Sequence, residues 1–149
     1  MLKHYRKKRD FSKTSEPEPK MQKIKKKKRK IFVIQEHHAR SLHWDFRLEH
    51  DGVLLSWAVP KGVPLKKGEK RLAVQTEDHP LEYASFAGTI PEGEYGAGEV
   101  KIWDKGSFEL LNMEPDLIDI VLDGKKVKGN YILIKPQKFE TGSWLIFKK

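Results

Sequence analysis

The sequence contains no cysteine and no long run of apolar residues. The absence of cysteine excludes disulfides and thiolate metal sites. No segment approaches the roughly 18 to 20 apolar residues that a membrane-spanning helix needs, and the opening stretch MLKHYRKKRD lacks the apolar core of a secretory signal. These absences favour a cytoplasmic protein without membrane association, and a length of 149 residues favours one domain with or without a tail.

Acidic residues are scarce in only one part of the chain. Residues 1–30 hold 14 Lys and Arg against 3 acidic residues, whereas residues 31–149 hold 16 against 18. This contrast divides the chain into a basic N-terminal segment, residues 1–30, and a single β domain, residues 31–149. A basic segment on a near-neutral domain suits a polyanion such as nucleic acid. A solvated tail fits the same charges. The run KIKKKKRK (23–30) is expected to stay extended unless it is bound.

Helical periodicity over three turns is also missing, and short β patterns take its place. In LHWDFRLEH (42–50) apolar and polar side chains alternate strictly, so that His43, Asp45 and Arg47 lie on one face of a strand. Asp51-Gly52 is a hairpin signal before the next strand. About nine such runs predict an all-β fold, a compact antiparallel β-barrel of about eight to nine strands with a basic N-terminal extension.

The polar face of this strand carries the groups that metal and phosphate chemistry need. Two imidazoles and one carboxylate are a common ligand set for Mn²⁺, Zn²⁺ or Fe²⁺, and a turn after His37 would bring it towards His43 and Asp45. Arg47, one step further, is suited to binding phosphate oxygens bidentately. A metal beside a guanidinium indicates phosphoryl chemistry. The same side chains would be ordinary on a strand whose polar face only meets water.

A second polar group follows a later strand. In EDHPLEY, the residues Glu77, His79 and Tyr83 are spaced to leave the strand end and project into the mouth of the barrel. Lys61 and Arg71 are candidates for a positive pocket around the phosphate. The Gly-rich stretch TIPEGEYGAGE lacks the signature of a nucleotide P-loop, so we interpret it first as a structural loop.

These motifs together resemble a known family. QEHHARSLHWDFRLEHDGVLLSWAVPKG and KRLAVQTEDHPLEYASFAGTIPEGEYGAGEVKIWDKG, with YRKKRDFSKTSEPEP before them and GSWLIFKK after them, are similar to the 3′-phosphoesterase domain of bacterial DNA ligase D and its free-standing relatives. The resemblance implies a β-barrel enzyme that uses Mn²⁺, with Zn²⁺ or Co²⁺ as other metals. It implies a phosphodiesterase step that removes a 3′-terminal ribonucleoside from DNA and a phosphomonoesterase step that converts the remaining 3′-phosphate into a 3′-hydroxyl.

The resemblance also implies roles for individual residues. His37, His43 and Asp45 match the family's metal ligands, and Tyr83 matches a further active-site position. The implied catalytic residues are His43, Arg47, His79 and Tyr83, and the implied phosphate-binding residues are Arg47, His79, Lys61 and Arg71. The secondary active-site candidates are Arg9, Asp10, Glu16, Gln35 and Glu77. The resemblance thus implies that the N-terminal segment contributes in part to the active site. Two positions depart from the family, because Glu36 stands where a basic residue is frequent and Trp44 where tyrosine is common.

The expected partners are DNA or RNA/DNA 3′ ends, bound by a monomer. No polymerase or ligase module lies within these 149 residues, so such a partner is expected to act in trans. Two other functions fit the residues. A non-haem Fe(II) oxygenase would use His43, Asp45 and His79 as a facial triad. A non-catalytic nucleic-acid-binding barrel would use the basic segment as an arm.

Overall fold

The computed structural model describes residues 2–19 and 29–149, and the part of the chain that it describes is almost entirely β. The predicted extended run KIKKKKRK lies mostly outside these residues, so it stays a prediction. None of the described helices is long and apolar enough to cross a membrane. The elements are α1 (Lys3–Lys7), β1 (Lys30–His38), β2 (Leu42–His50), β3 (Val53–Val59), β4 (Arg71–Pro80), a 3₁₀ turn (Leu81–Ser85), β5 (Gly88–Ile90), β6 (Gly98–Glu114), β7 (Leu117–Asp123), β8 (Lys128–Ile134) and β9 (Ser143–Lys148).

Eight of these strands close into an antiparallel barrel. The order around the sheet is β1-β2-β3-β4-β9-β8-β7-β6, and β6 pairs back onto β1 to complete the circle. The short strand β5 pairs with the beginning of β6 and lies outside the circle. The Asp51-Gly52 turn joins β2 to β3, and φ is positive at both residues, as a type I′ hairpin turn requires. The predicted barrel of eight to nine strands and its hairpin are confirmed.

The inside of the barrel is filled with apolar side chains. Phe46 of β2, Trp57 of β3 and Ile34 of β1 are fully buried in one core, and the rings of Phe46 and Trp57 lie 6.2 Å apart. Because side chains alternate across a strand, the polar residues of β2 must lie on the outer face of the wall. His79 and Tyr83 contact Tyr5 outside the barrel, so the expectation that the EDHPLEY residues project into a barrel mouth is wrong.

The outer face of β1–β4 is covered rather than open to water. Tyr5 of α1 is fully buried there in a second apolar cluster that also includes Val33 and Tyr83. Its ring lies 5.9 Å from Phe11 and 5.0 Å from His79, and its hydroxyl donates a hydrogen bond to Pro17 O at 2.6 Å. The N-terminal segment thus packs across the wall of the barrel and forms one side of a cleft.

A buried carboxylate holds the turn between β7 and β8. Asp104 accepts four backbone hydrogen bonds of 2.9 Å, from Lys105, Lys125, Lys126 and Val127. Burial raises the pKa of Asp104, but these N–H groups outweigh it, so the pKa lies below its usual value.

We expect Asp104→Asn to lower the free energy of unfolding by about 2 kcal/mol, because the amide loses charge and places a donor among donors. Urea unfolding monitored by fluorescence measures this change. A folded-state pKa below the unfolded one stabilises the protein above the unfolded pKa, and this stabilisation is lost as the pH falls through the folded pKa. The difference in free energy of unfolding between the unaltered protein and Asp104→Asn should therefore become smaller in acid. Asp123→Asn, at an exposed carboxylate, is the control, and an equal loss there would contradict the assignment.

Candidate active site

A cavity of about 300 Å³ lies between the outer wall of the barrel and its covering segments. Strands β1 to β4 form its floor, and the N-terminal segment and the Gly-rich connection before β6 form its sides. It brings together residues that are up to 87 positions apart, since Lys8 at its edge contacts Tyr95. The lining residues are Arg9, His37, Ala39, His43, Asp45, Arg47, Ala58, Thr76, Glu77, His79, Tyr83, Ile90, Tyr95 and Gly96.

Three of these residues form a cluster suited to a metal ion. One ligand atom from each of His37, His43 and Asp45 lies within 4.8 Å of the others. The paired strands β1 and β2 set His37 directly opposite His43, with their rings 4.8 Å apart. The carboxylate of Asp45 lies between them, 3.4 Å from His37 Nδ1 and 3.2 Å from His43 Nε2.

The other nitrogen of each imidazole is already occupied by a backbone carbonyl. His37 Nε2 donates a hydrogen bond to Gly96 O at 2.7 Å, and His43 Nδ1 donates one to Ser41 O at 3.0 Å. Because a carbonyl only accepts, these contacts place the protons on the outer nitrogens. The inner nitrogens then carry the lone pairs that face Asp45. Metal-binding histidines have the same arrangement, in which a second hydrogen bond sets the tautomer and orients the ring. The three residues present therefore fit a divalent metal.

The charge on Asp45 is secured by its neighbours. Burial raises the pKa of the carboxyl, but the Arg47 guanidinium and the two neighbouring imidazoles lower it by more, so that the net pKa is far below the usual value. The same contact with Asp45 raises the pKa of His43. A negative charge between two imidazoles is an attractive position for a cation.

Arg47 is buried and only partly satisfied. Its Nε donates to Gln35 Oε1 at 2.7 Å, and its Nη2 lies 3.5 Å from Asp45 Oδ2. Its guanidinium also lies 4.8 Å from the centre of the Tyr83 ring. Nη1 is buried and has no hydrogen-bond partner among the described residues. Since an unsatisfied buried donor costs free energy, this atom indicates a place for an anionic ligand beside the metal ligands.

A bulge in β4 brings His79 to the same cavity. Leu54 of β3 pairs with His79, whereas Ser56 pairs with Thr76, so β4 carries one extra residue between these pairs. His79 Nε2 lies 3.3 Å from an Arg9 nitrogen and Nδ1 lies 2.9 Å from Glu77 O. Arginine can only donate, so Nε2 accepts and Nδ1 carries the proton. Burial, Arg47 and Arg9 lower the pKa of His79 well below its usual value, which keeps it neutral.

The N-terminal segment reaches the cavity through Arg9. This side chain is 5% exposed and donates to Glu16 Oε2 at 2.9 Å and to Glu77 Oε1 at 3.3 Å. Glu16 in turn accepts the hydroxyl of Tyr83 at 2.8 Å. Lys8 adds an ion pair with Glu77 at 3.1 Å. These contacts tie residues of the covering segment to the strand and turn that carry the other site residues.

Five of the sequence-predicted residues do not line this cavity, and one of them, Glu16, contacts Arg9 and Tyr83 from outside it. Asp10 is exposed and accepts hydrogen bonds from Ser12 N and Oγ. Gln35 lies behind the cavity, where its amide donates to two backbone carbonyls and its oxygen holds Arg47. Lys61 and Arg71 line a separate cavity.

The cavity also contains residues that the sequence patterns left out. Tyr95 and Gly96 come from the Gly-rich stretch that was interpreted as structural, and Thr76 lies at the bulge. Gly96 has a φ of +75°, and a Cβ there would lie 3.4 Å from the His37 ring. The glycines of that stretch were the available signal, because they allow backbone carbonyls to approach a ring closely.

Comparison with known proteins finds relatives that match most of this chain. The model of the family described as the DNA ligase D 3′-phosphoesterase domain matches residues 35–135. The multifunctional non-homologous end joining protein LigD of Mycolicibacterium smegmatis is 53% identical over 142 residues, and the protein of the same name from Pseudomonas aeruginosa is 45% identical over 155 residues. The multifunctional non-homologous end joining DNA repair protein LigD of Mycobacterium tuberculosis is 51% identical over 138 residues.

These alignments cover 88%, 99% and 90% of this chain, respectively, but only 18% of each relative. The chain thus spans about a fifth of the length of the curated relatives that it matches. The family match covers the metal-ligand cluster, Arg47 and His79, and the resemblance noted in the sequence is confirmed. The chain belongs to the DNA ligase D 3′-phosphoesterase domain family.

Proposed function

We propose that this protein heals DNA 3′ ends as a Mn²⁺-dependent phosphoesterase. A phosphodiesterase step would remove a 3′-terminal ribonucleoside and leave a 3′-phosphate, and a phosphomonoesterase step would then leave a 3′-hydroxyl for a ligase or polymerase. The observation that carries the proposal is the pairing of the metal-ligand cluster with Arg47, whose buried Nη1 lacks a partner among the described residues. We expect the protein to act as a monomer.

The donor set supports this choice of cofactor. Two imidazole nitrogens and a carboxylate oxygen suit Mn²⁺ and also Zn²⁺ or Co²⁺. A divalent cation held there supplies Lewis acidity to a phosphate oxygen and lowers the pKa of water. His37, His43 and Asp45 provide its position, because each ring is fixed by a carbonyl and the carboxylate is held ionised.

The surrounding side chains have distinct tasks in this proposal. Arg47 would donate its free Nη1 and neutralise charge on the phosphate as the transition state forms. His79, neutral with Nε2 accepting from Arg9, would exchange this contact for a hydrogen bond from the substrate, and it would protonate a leaving group only after gaining a proton. Tyr83 and Glu16 would hold the guanidinium groups of Arg47 and Arg9 in place.

The geometry weakens both rival functions. The oxygenase required His79 as a metal ligand, yet its Nε2 contacts Arg9, and His37 completes the cluster instead. The remaining two-histidine, one-carboxylate set also suits Fe(II), but the buried arginine beside it favours a phosphate. The hypothesis of a non-catalytic barrel does not explain the buried cluster of charged side chains, in which Nη1 of Arg47 has no hydrogen-bond partner among the described residues.

One assay separates the three functions. The protein is incubated with an end-labelled DNA primer that carries one 3′-ribonucleotide, with Mn²⁺ or with a chelator, and in the absence of O₂. We expect shortening to a 3′-phosphate and then a 3′-hydroxyl with Mn²⁺ alone. Binding without any change at the 3′ end would support the non-catalytic barrel. A requirement for Fe(II), O₂ and an oxo-acid would support the oxygenase.

We expect Arg9→Ala to lower the saturating single-turnover rate about ten- to a hundredfold, because it removes a buried cation from the cavity and the contact to His79. Arg6→Ala is the matched control, since Arg6 is exposed, does not line the cavity, and donates to Pro19 O. An electrostatic arm would instead weaken binding to a similar degree in both variants and leave the saturating rate unchanged.

A further inference from the structure

Lys61 and Arg71 line a second cavity of about 280 Å³, at one end of the barrel. The loop between β3 and β4 crosses this end, where Val63 is buried in the core and Pro64 O accepts the Tyr131 hydroxyl at 2.7 Å. The loop is therefore anchored, and the cavity has a fixed wall. Its size is close to the lower limit of small-molecule sites in proteins.

The charged groups of this cavity leave two lysines available. Arg71 donates to Lys61 O at 2.7 Å and to Gly62 O at 3.0 Å, and it also forms an ion pair with Glu69 at 2.7 Å. Arg71 thus holds the loop and occupies the one carboxylate of the wall. Lys61 and Lys66 are exposed and have no ion pair within the described part of the chain, so the free charge of the cavity is positive.

Two tryptophans supply the aromatic part of the same wall. Trp44 and Trp103 are partly buried against the barrel core and line the cavity. Trp103 is backed by Lys126, whose Nζ lies 4.6 Å from its ring centre. The Nε1 of Trp44 is buried and finds no hydrogen-bond partner in residues 2–19 and 29–149. Aromatic faces beside unpaired lysines are the combination that binds single-stranded nucleic acid.

The second cavity lies next to the active site. Trp44 stands between His43 and Asp45 in β2, with its side chain on the opposite face. Ala58 of β3 lines the active site, and Lys61, which follows β3, lines the second cavity. A DNA strand whose terminal phosphate lies at Arg47 would reach the second cavity by crossing the wall where Trp44 pairs with Val59.

We propose that the second cavity binds one unpaired nucleobase of the DNA strand whose 3′ end occupies the active site, with the base stacked on Trp103 and the adjoining phosphate held by Lys66 and Lys61. This inference rests on the proposed function, because it assigns a second contact to the same substrate. It gives the protein a preference for 3′ ends that are single-stranded over a few nucleotides.

The test uses the full-length chain with Mn²⁺ and primers that end in one 3′-ribonucleotide on an unpaired overhang. Each primer of the series carries a single abasic nucleotide at one of the five positions before the end. We expect one position at which loss of the base raises the protein concentration for half-maximal single-turnover cleavage about tenfold, with the saturating rate unchanged. Trp103→Ala should raise this concentration similarly for the intact primer and abolish the effect of the abasic position.

Two further variants distinguish loss of base binding from misfolding of Trp103→Ala. Trp103→Phe keeps an aromatic face and should restore the dependence on the base, whereas Lys66→Ala should raise the half-maximal concentration several-fold compared with the exposed control Lys138→Ala. Cleavage that is indifferent to every abasic position, or a dependence that persists in Trp103→Ala, would overturn the inference alone. Absence of any cleavage by the unaltered protein would overturn the proposed function and the inference with it.

Discussion

Replacing Asp45 with alanine is expected to abolish both phosphoesterase steps, with a loss of at least about a thousandfold in rate. The carboxylate lies between two imidazoles and 3.5 Å from a buried arginine, so its removal takes away a metal ligand and leaves three positively charged or protonatable groups facing each other. His43→Ala should have a similar effect, since it removes Nε2, the proposed metal-ligand atom that lies beside the Asp45 carboxylate. Both are measured on a primer with one 3′-ribonucleotide and on one with a 3′-phosphate.

His50→Ala provides the matched control, because this histidine ends the same strand and contacts Asp51 instead of the cavity. A second measurement separates loss of metal from loss of fold. Any ion that binds only the folded state raises its apparent stability, so Mn²⁺ should raise the melting temperature of the unaltered protein and of His50→Ala, but not that of the Asp45 and His43 variants. Near-normal cleavage in Mn²⁺ by either site variant would refute the assignment of these residues as metal ligands.

The floor of this site could be predicted because strand alternation is a local property. His43, Asp45 and Arg47 share a face whatever the rest of the chain does, and the Asp51-Gly52 turn fixes the neighbour of that strand. Strand alternation does not predict which of the two faces points into the barrel. Leu48 and Phe46 could have packed against a covering segment, and the polar face could have lined a mouth. Only closure of the barrel between β1 and β6 decides that the apolar face is inside.

The rest of the site depends on contacts between distant segments. The bulge in β4 that brings His79 beside Thr76 has no turn signal in the sequence, because it is a shift in pairing with β3. The burial of Tyr5 against Tyr83 joins residues 78 positions apart, so composition alone could not distinguish a covering segment from a solvated tail. Lys61 was grouped with the phosphate-binding residues by its charge, yet the loop that carries it crosses the end of the barrel.

Replacing Arg47 tests whether the site is built for a phosphate. We expect Arg47→Ala to lower the saturating rate about a hundred- to a thousandfold at saturating Mn²⁺, since the guanidinium is the buried cation nearest the metal ligands. The measurement uses saturating Mn²⁺ because removing the guanidinium beside Asp45 also changes the surroundings of a proposed metal ligand. Arg29→Ala, at an exposed ion pair with Asp123, is the control.

Arg47→Lys separates charge from shape. Lysine keeps the positive charge. However, its single ammonium group cannot both donate to Gln35 Oε1 and place a second donor where Nη1 of Arg47 lies. We therefore expect Arg47→Lys to remain at least tenfold slower than the unaltered protein, with the loss in the saturating rate rather than in substrate affinity, because the missing donor acts on charge that develops in the transition state. A lysine variant as fast as the unaltered protein would show that the charge of Arg47 suffices and that its geometry, including the free Nη1, has no part in the reaction.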